Sequence, residues 1–120
     1  MAGYGDGPVE LVFVRTGNEQ NALTELVEQL TDKQHAQLTR SLQRLETNGL
    51  ALDADYFERV TGSNLWAWRG SVQDCDVRFL YGRSGKRLVM LYGLKKKTKK
   101  LPPRAIATAE ARWKAWEGGK

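Results

Sequence analysis

The chain predicts an α+β fold in which a mostly antiparallel sheet of three to four strands is backed by helices. Three observations carry this. A short β-rich run opens the chain, two helical stretches with capping signals follow, and three further β-rich runs precede a last helical stretch. With 120 residues and no repeat or low-complexity linker, a single domain over 1–120 is expected, with residues 1–7 flexible beside it.

Val9, Leu11 and Phe13 alternate with Glu10, Val12 and Val14, which reads as a mostly buried first strand. Thr16 with Glu19 forms a possible capping box, and Ala22, Leu23, Leu26, Val27 and Leu30 follow at helical spacing, so a helix is expected over about 19–30. Thr31 with Gln34 repeats the signal. Leu38, Leu42 and Leu45 then share one face until Asn48-Gly49 stops a second helix of about 32–48. The short join between the two helices predicts an antiparallel hairpin covering one sheet face. After the connector 50–55, strands are expected at Leu65–Arg69, Asp76–Gly82 and Arg87–Leu94. Gly82-Arg83-Ser84-Gly85 is turn chemistry, so the last two should pair as a hairpin. Pro102-Pro103 cannot continue a strand but suits a helix entry. Ile106, Ala109, Trp113 and Trp116 then mark one stripe of a helix over about 103–116.

Charge is unevenly distributed. The net charge is +5, and ten Lys or Arg fall between Arg78 and Arg104 without one Asp or Glu, whereas the acids lie mainly before that segment. Such asymmetry points to a polyanionic partner. No secretory leader is visible at the start and no apolar run approaches membrane-spanning length, so the protein is expected in the cytoplasm, away from membranes. The single cysteine, Cys75, reads as a small strand residue in a reducing compartment.

Candidate chemistry gathers near the basic segment. Lys95, Lys96, Lys97, Lys99 and Lys100 follow a strand end, and Arg83 lies in the preceding turn, all positions able to meet nucleic-acid phosphates. Arg69 ends one strand and Arg78 lies within the next, on the face opposite Val77, Phe79 and Tyr81. A guanidinium can clamp a phosphate bidentately and offset charge growing in phosphoryl transfer. Tyr81 and Tyr92 can stack on a base or exchange a proton, although their alternation with Phe79 and Met90 also suits core packing. His35, midway through the second helix, reads as a surface or packing residue. No phosphate-binding glycine loop, metal-ligand spacing or nucleophile elbow is present, so chemistry without metal or cofactor is expected.

The order of three segments resembles the RelE superfamily, especially its HigB-like, phage-derived branch. Leu65-Trp66-Ala67-Trp68-Arg69 is similar to that family's strand ending in Leu-x-x-Leu-Arg, and Val77-Arg78-Phe79-Leu80-Tyr81 to its Tyr-Arg-aliphatic-x-Tyr strand. Val89-Met90-Leu91-Tyr92-Gly93-Leu94-Lys95-Lys96-Lys97-Thr98, with Pro102 after it, resembles the aliphatic strand and His-Gly-Phe-x-Lys-Lys-Thr segment. Ala109 and Arg112 fit its last helix. The likeness runs from about Val9 to Trp116.

The resemblance implies the toxin of a toxin–antitoxin pair, an endoribonuclease that cleaves mRNA on the ribosome by attack of a 2′-hydroxyl on the adjacent phosphate. It carries over Arg69, Arg78, Lys96 and Lys97 as phosphate-binding or charge-stabilising residues. It also implies an antitoxin, commonly a helix-turn-helix DNA-binding protein, through which DNA would be met only indirectly. This chain departs from the pattern at Ala67, where the family has an acid, and at Tyr92, where it has histidine. These departures leave the proton-transfer residues unassigned and favour, as an alternative, a non-catalytic nucleic-acid- or ribosome-binding protein of the same fold; a third reading is a phage accessory protein that binds a host protein, with the tryptophans as contact residues. For the shared-site reading, Arg69, Arg78 and Lys95 to Lys97 should converge on one side of the sheet, opposite the helical hairpin.

Overall fold

A computed structural model describes residues 8–49, 54–96 and 100–119. The chain runs through β1 (Glu10–Phe13), β2 (Arg15–Gly17), β3 (Gln20–Asn21), α1 (Ala22–Val27), α2 (Asp32–Asn48), a 3-10 turn at Ala54–Tyr56, β4 (Phe57–Arg59), β5 (Trp66–Val72), β6 (Cys75–Ser84), β7 (Arg87–Lys96) and α3 (Pro103–Gly118). Five strands form one sheet in the order β1-β7-β6-β5-β4, and β2 and β3 make a separate small hairpin. The neighbours from β4 to β7 pair antiparallel, whereas β1 lies parallel to β7, so the sheet is mixed within the expected α+β layout.

The start of α1 corrects the sequence expectation. Thr16 and Glu19 do not open the helix: Arg15–Gly17 is strand, and Glu19 takes a left-handed φ of 57° in the turn to β3. The cap is Asn21, whose Oδ1 accepts from the backbone N–H groups of Leu23 and Thr24, while Thr24 Oγ1 accepts from Asn21 N. These bonds satisfy donors that a helix start leaves open. Thr31 and Gln34 form the expected box at α2, and Gln34 also donates to the Gln73 carbonyl at 2.7 Å, tying the helix start to the β5–β6 turn. Gly85 at φ 62° closes the β6–β7 hairpin, so both strands extend further than their apolar patterns indicate. Phe57–Arg59 adds a short edge strand where none was expected.

Strand parity divides the core. Trp68 lies opposite Phe79, and Gly70 opposite Val77, on the face covered by α1 and α2. Leu26, Leu38, Leu42 and Leu45 bury their side chains there. Gly93 permits the contact, since a Cβ on it would sit 2.6 Å from the Phe79 ring and 3.0 Å from Leu26. Ala67, Leu80, Gly82 and Val89 occupy the other face, where Ala105 and Ala109 of α3 are buried and the Trp113 ring fills the space over Gly82. The helices therefore flank the sheet, α1 over β7 and α2 over β5 on one side, α3 on the other. At the β7 edge beyond its pairing with β1, Arg112 of α3 donates from Nη1 and Nη2 to the carboxylate of Glu25 in α1, each at 2.9 Å, and from Nη1 to the Leu91 carbonyl at 2.9 Å. A bidentate pair of this kind fixes orientation as well as distance. Among the described residues no helix is long and apolar enough to cross a membrane.

Candidate phosphate site at the polar end of the sheet

The α3 face of the sheet has two halves. Toward the β6–β7 hairpin it is apolar and covered by α3, whereas toward the β5–β6 turn it carries Arg69, Ser71, Asp76 and Arg78. Arg69 and Arg78 are direct cross-strand partners, followed by Ser71 opposite Asp76, with Ser71 Oγ 3.2 Å from Asp76 Oδ1. On β7, Leu94 lies opposite Arg78 and Lys96 opposite Asp76.

Arg78 is 7% exposed, which is rare for a guanidinium because desolvating a charge is costly unless partners replace the water. Its Nε lies 3.3 Å from Glu58 Oε1, and its Nη1 4.0 Å from Asp76 Oδ2. The first is not aligned as a hydrogen bond and the second is too long for one, so Nε and Nη1 are buried donors without a hydrogen-bond partner among the described residues. Charge is compensated while donor capacity is left over on two nitrogens that are themselves buried.

Glu58 is the residue that sequence reasoning missed. It sits on β4, with its side chain half exposed, and lines a cleft of about 370 Å³ with Arg59, Lys100, Leu101, Pro103 and Ile106. The half-exposed Glu58 carboxylate thus approaches Arg78 and shares a cleft with Lys100. Alternation over three residues is too short to signal a strand, so only the fold reveals this neighbour.

The other expected site residues are distributed as follows. Lys96 is placed by its backbone on the Arg78 side, while Lys97 and Lys99 lie outside the described residues. Lys95 faces away: it pairs with Val77 on the helical side, where its Nζ donates to the Gln29 carbonyl beyond the end of α1 at 3.2 Å. Its expected convergence with Arg78 is thus corrected, because adjacent strand residues point to opposite faces. Tyr81 is also on the helical side, opposite Trp66, and is 1% exposed. Burial pushes its phenol well above the ordinary range, with the Arg83 charge opposing in part. The fold separates this phenol from Arg78, which removes it as a proton-transfer partner there. Arg83 lies near the hairpin end of β6, opposite Leu88 and five residues beyond Arg78. Tyr92 shares the Arg78 face but lies under the Arg112 guanidinium, 5.4 Å from its ring centre. His35 is exposed on α2, and Cys75 is partly buried with its Sγ 3.8 Å from Gln34 Nε2.

Residues 25–114, three quarters of the chain, match the family described as phage derived protein Gp49-like (DUF891). The chain belongs to this family. No curated protein matches it. The Gp49-like match begins within α1 and ends within α3, so it takes in the Glu25–Arg112 clamp and every described residue around Arg78. Membership fits a toxin-like protein, the coarse class to which the resemblance of the strands also leads.

Proposed function

We propose that this Gp49-like protein is the toxin of a toxin–antitoxin pair and cleaves mRNA on the ribosome, with Arg78 at the centre of the reaction. The observation that carries the reading is a buried guanidinium with two unbonded donors, set beside an accessible carboxylate at the polar end of the sheet. Arg78 donates to a non-bridging phosphate oxygen and offsets the charge that builds on phosphorus. Glu58 takes the proton of the attacking 2′-hydroxyl. The 2′-oxygen–phosphorus bond forms, the bond to the 5′-oxygen breaks, and the leaving oxygen takes a proton from water, which yields a 2′,3′-cyclic phosphate and a 5′-hydroxyl.

Arg69, opposite Arg78, and Lys100, in the Glu58 cleft, hold the flanking phosphates. Lys96 and Lys97, on the segment leaving β7, add positive charge to the same end of the chain, and Lys99 extends it. The antitoxin, a helix-turn-helix DNA-binding protein by the resemblance, would restrain the toxin in the cytoplasm. The test is primer extension on mRNA in programmed ribosomes with the unmutated protein, alongside a separate binding assay. Cleavage that requires the ribosome supports the reading. Tight binding without cleavage replaces it with the non-catalytic reading, which the missing family acid at Ala67 and histidine at Tyr92 favour.

A further inference from the structure

A second cationic surface lies around the open edge of β5, where α2 runs beside the end of that strand. Lys33, Gln37, Arg40, Ser41 and Arg44 recur at helical spacing and so form one stripe of α2. From Lys33 to Arg44 the helix rises about 16 Å at ~1.5 Å per residue. This stripe and the β5–β6 turn enclose a groove of about 580 Å³, with Ser71 and Gln73 on its far wall. The groove continues into a smaller cleft of about 160 Å³, lined by Arg44, Arg69, Tyr56 and Trp68 among others.

Three features set this surface apart from an ordinary solvated helix face. Among the described residues no Asp or Glu lines either cavity, and the acid that touches a lining residue is Asp76, which accepts from the Ser71 hydroxyl at 3.2 Å. None of Lys33, Arg40, Arg44 and Arg69 is in a salt bridge among the described residues, although Arg87 and Arg112 both are. Among the described residues the only aliphatic one on the walls of the larger groove is Val72, and the rest is hydroxyl, amide and cation. A protein partner is gripped by buried aromatic and aliphatic anchors. Phosphates are held by Lys and Arg with Ser and Gln donors beside them.

We infer that this groove binds the phosphodiester backbone of RNA, as a contact surface separate from the Arg78 site and joined to it through Arg69. The inference goes beyond the cleavage reading and does not depend on it. A strand held here is anchored by three cations along α2 with no reading of base edges, so binding is independent of sequence. Arg69, on the stretch of β5 past its pairing with β4, belongs to both surfaces.

The test uses the full chain and a fluorescein-labelled 16-nucleotide oligouridylate, with affinity measured by anisotropy from 0.1 to 1 M salt. Replacing Lys33, Arg40 and Arg44 together by Gln removes three phosphate contacts. The slope of log affinity against log salt should then shrink by about 2, and affinity should fall on the order of 100-fold at 0.1 M while converging with the parent near 1 M. All three side chains are exposed or line open grooves, so the melting temperature should stay near the parent's, and that is measured in parallel. Arg78→Ala should change the slope by no more than about 1, even if it abolishes cleavage, which separates failure of one reading from failure of the other. An unchanged slope in the folded triple variant overturns the inference. Polyglutamate binding that the triple variant loses while RNA affinity is unchanged assigns the groove to an acidic protein segment and equally overturns it.

Discussion

Arg69 and Arg78 stand directly opposite each other on β5 and β6. Like charges at such a position repel and weaken a sheet unless something neutralises them. Glu58 and Asp76 offset Arg78 from two sides, yet two of its nitrogens still lack hydrogen bonds. The two carboxylates already balance the two guanidinium charges, so what a phosphate placed here would supply is acceptor oxygens for those nitrogens.

Arg78→Ala should lower single-turnover cleavage of ribosome-bound mRNA by about 10² to 10³, the scale for removing one donor to a developing oxyanion. Ribosome binding should largely survive, because the other cations remain. Arg78→Lys should restore little, since an ammonium does not reproduce the planar fork of donors. Equal cleavage by parent and Arg78→Ala would show that the reaction occurs elsewhere on the chain.

The clamp across the β7 edge sets the joint position of α1 and α3. Glu25→Ala leaves Arg112, about a quarter exposed, with the Leu91 carbonyl and the face of Tyr92, and should cost about 1–3 kcal/mol in urea denaturation. Arg112→Ala in the Glu25→Ala background should add less than it does alone, because the shared contact is already gone. Full additivity of the two losses would mean that the pair contributes no coupling.

Much of this fold is legible in the sequence because its strands obey strict alternation. Val77 and Phe79 on one side and Arg78 and Leu80 on the other follow from period two, and the α2 box follows from Thr31 and Gln34. The same parity decides Lys95 against Lys96, but a run of similar residues conceals which one falls on which face. Two competing caps obscured the start of α1: Thr16 with Glu19 satisfies the pattern as well as Asn21 with Thr24, and only the β2–β3 hairpin selects between them. Glu58 was illegible because its meaning comes from Arg78, twenty residues away across an intervening strand. The parallel pairing of β1 with β7 is likewise a choice of partner that alternation alone does not encode.

Tightly apposed rings explain why small residues are needed within two strands. A methyl on Gly82 would lie 2.8 Å from the Trp113 ring, and one on Gly93 would lie 2.6 Å from Phe79. Gly82→Ala and Gly93→Ala should each destabilise by about 1–3 kcal/mol through overpacking. Gly93→Ala together with Phe79→Leu should recover part of the loss, since the shortened side chain opens room. Denaturation midpoints of the two single variants and the double variant check this.

Tyr81 predicts an alkaline signature. Its folded-state pKa is raised by burial, so the folded protein holds the phenolic proton more tightly than the unfolded chain does. Its contribution is therefore fully present below the unfolded value of about 10 and declines as pH rises above it. In a phenolate absorbance titration of the four tyrosines, one should ionise only together with unfolding. Tyr81→Phe should remove that late step and flatten the fall of stability above pH 10. Smooth titration of all four phenols near 10 in the folded protein would contradict the buried placement.

The most exacting prediction concerns Glu58, because it assigns a proton-transfer role to a residue outside all the strand segments that resemble the RelE superfamily. Glu58→Gln preserves shape and keeps an oxygen near Arg78 Nε, but it removes the basic carboxylate. If Glu58 takes the 2′-hydroxyl proton, cleavage should fall about 10² to 10⁴ with little loss of binding. Asp76→Asn should cost less, since Asp76 stands at 4.0 Å from Arg78 and interacts with Ser71. If the glutamate serves only to position the guanidinium, the two substitutions should resemble each other and Gln should retain most activity. The double variant Glu58→Gln, Arg78→Ala separates these cases further. Residues acting as one catalytic unit are strongly non-additive, so the double variant should be scarcely slower than the worse single variant. Losses that multiply across the two sites would show that Glu58 and Arg78 act independently, and the shared centre would have to be abandoned.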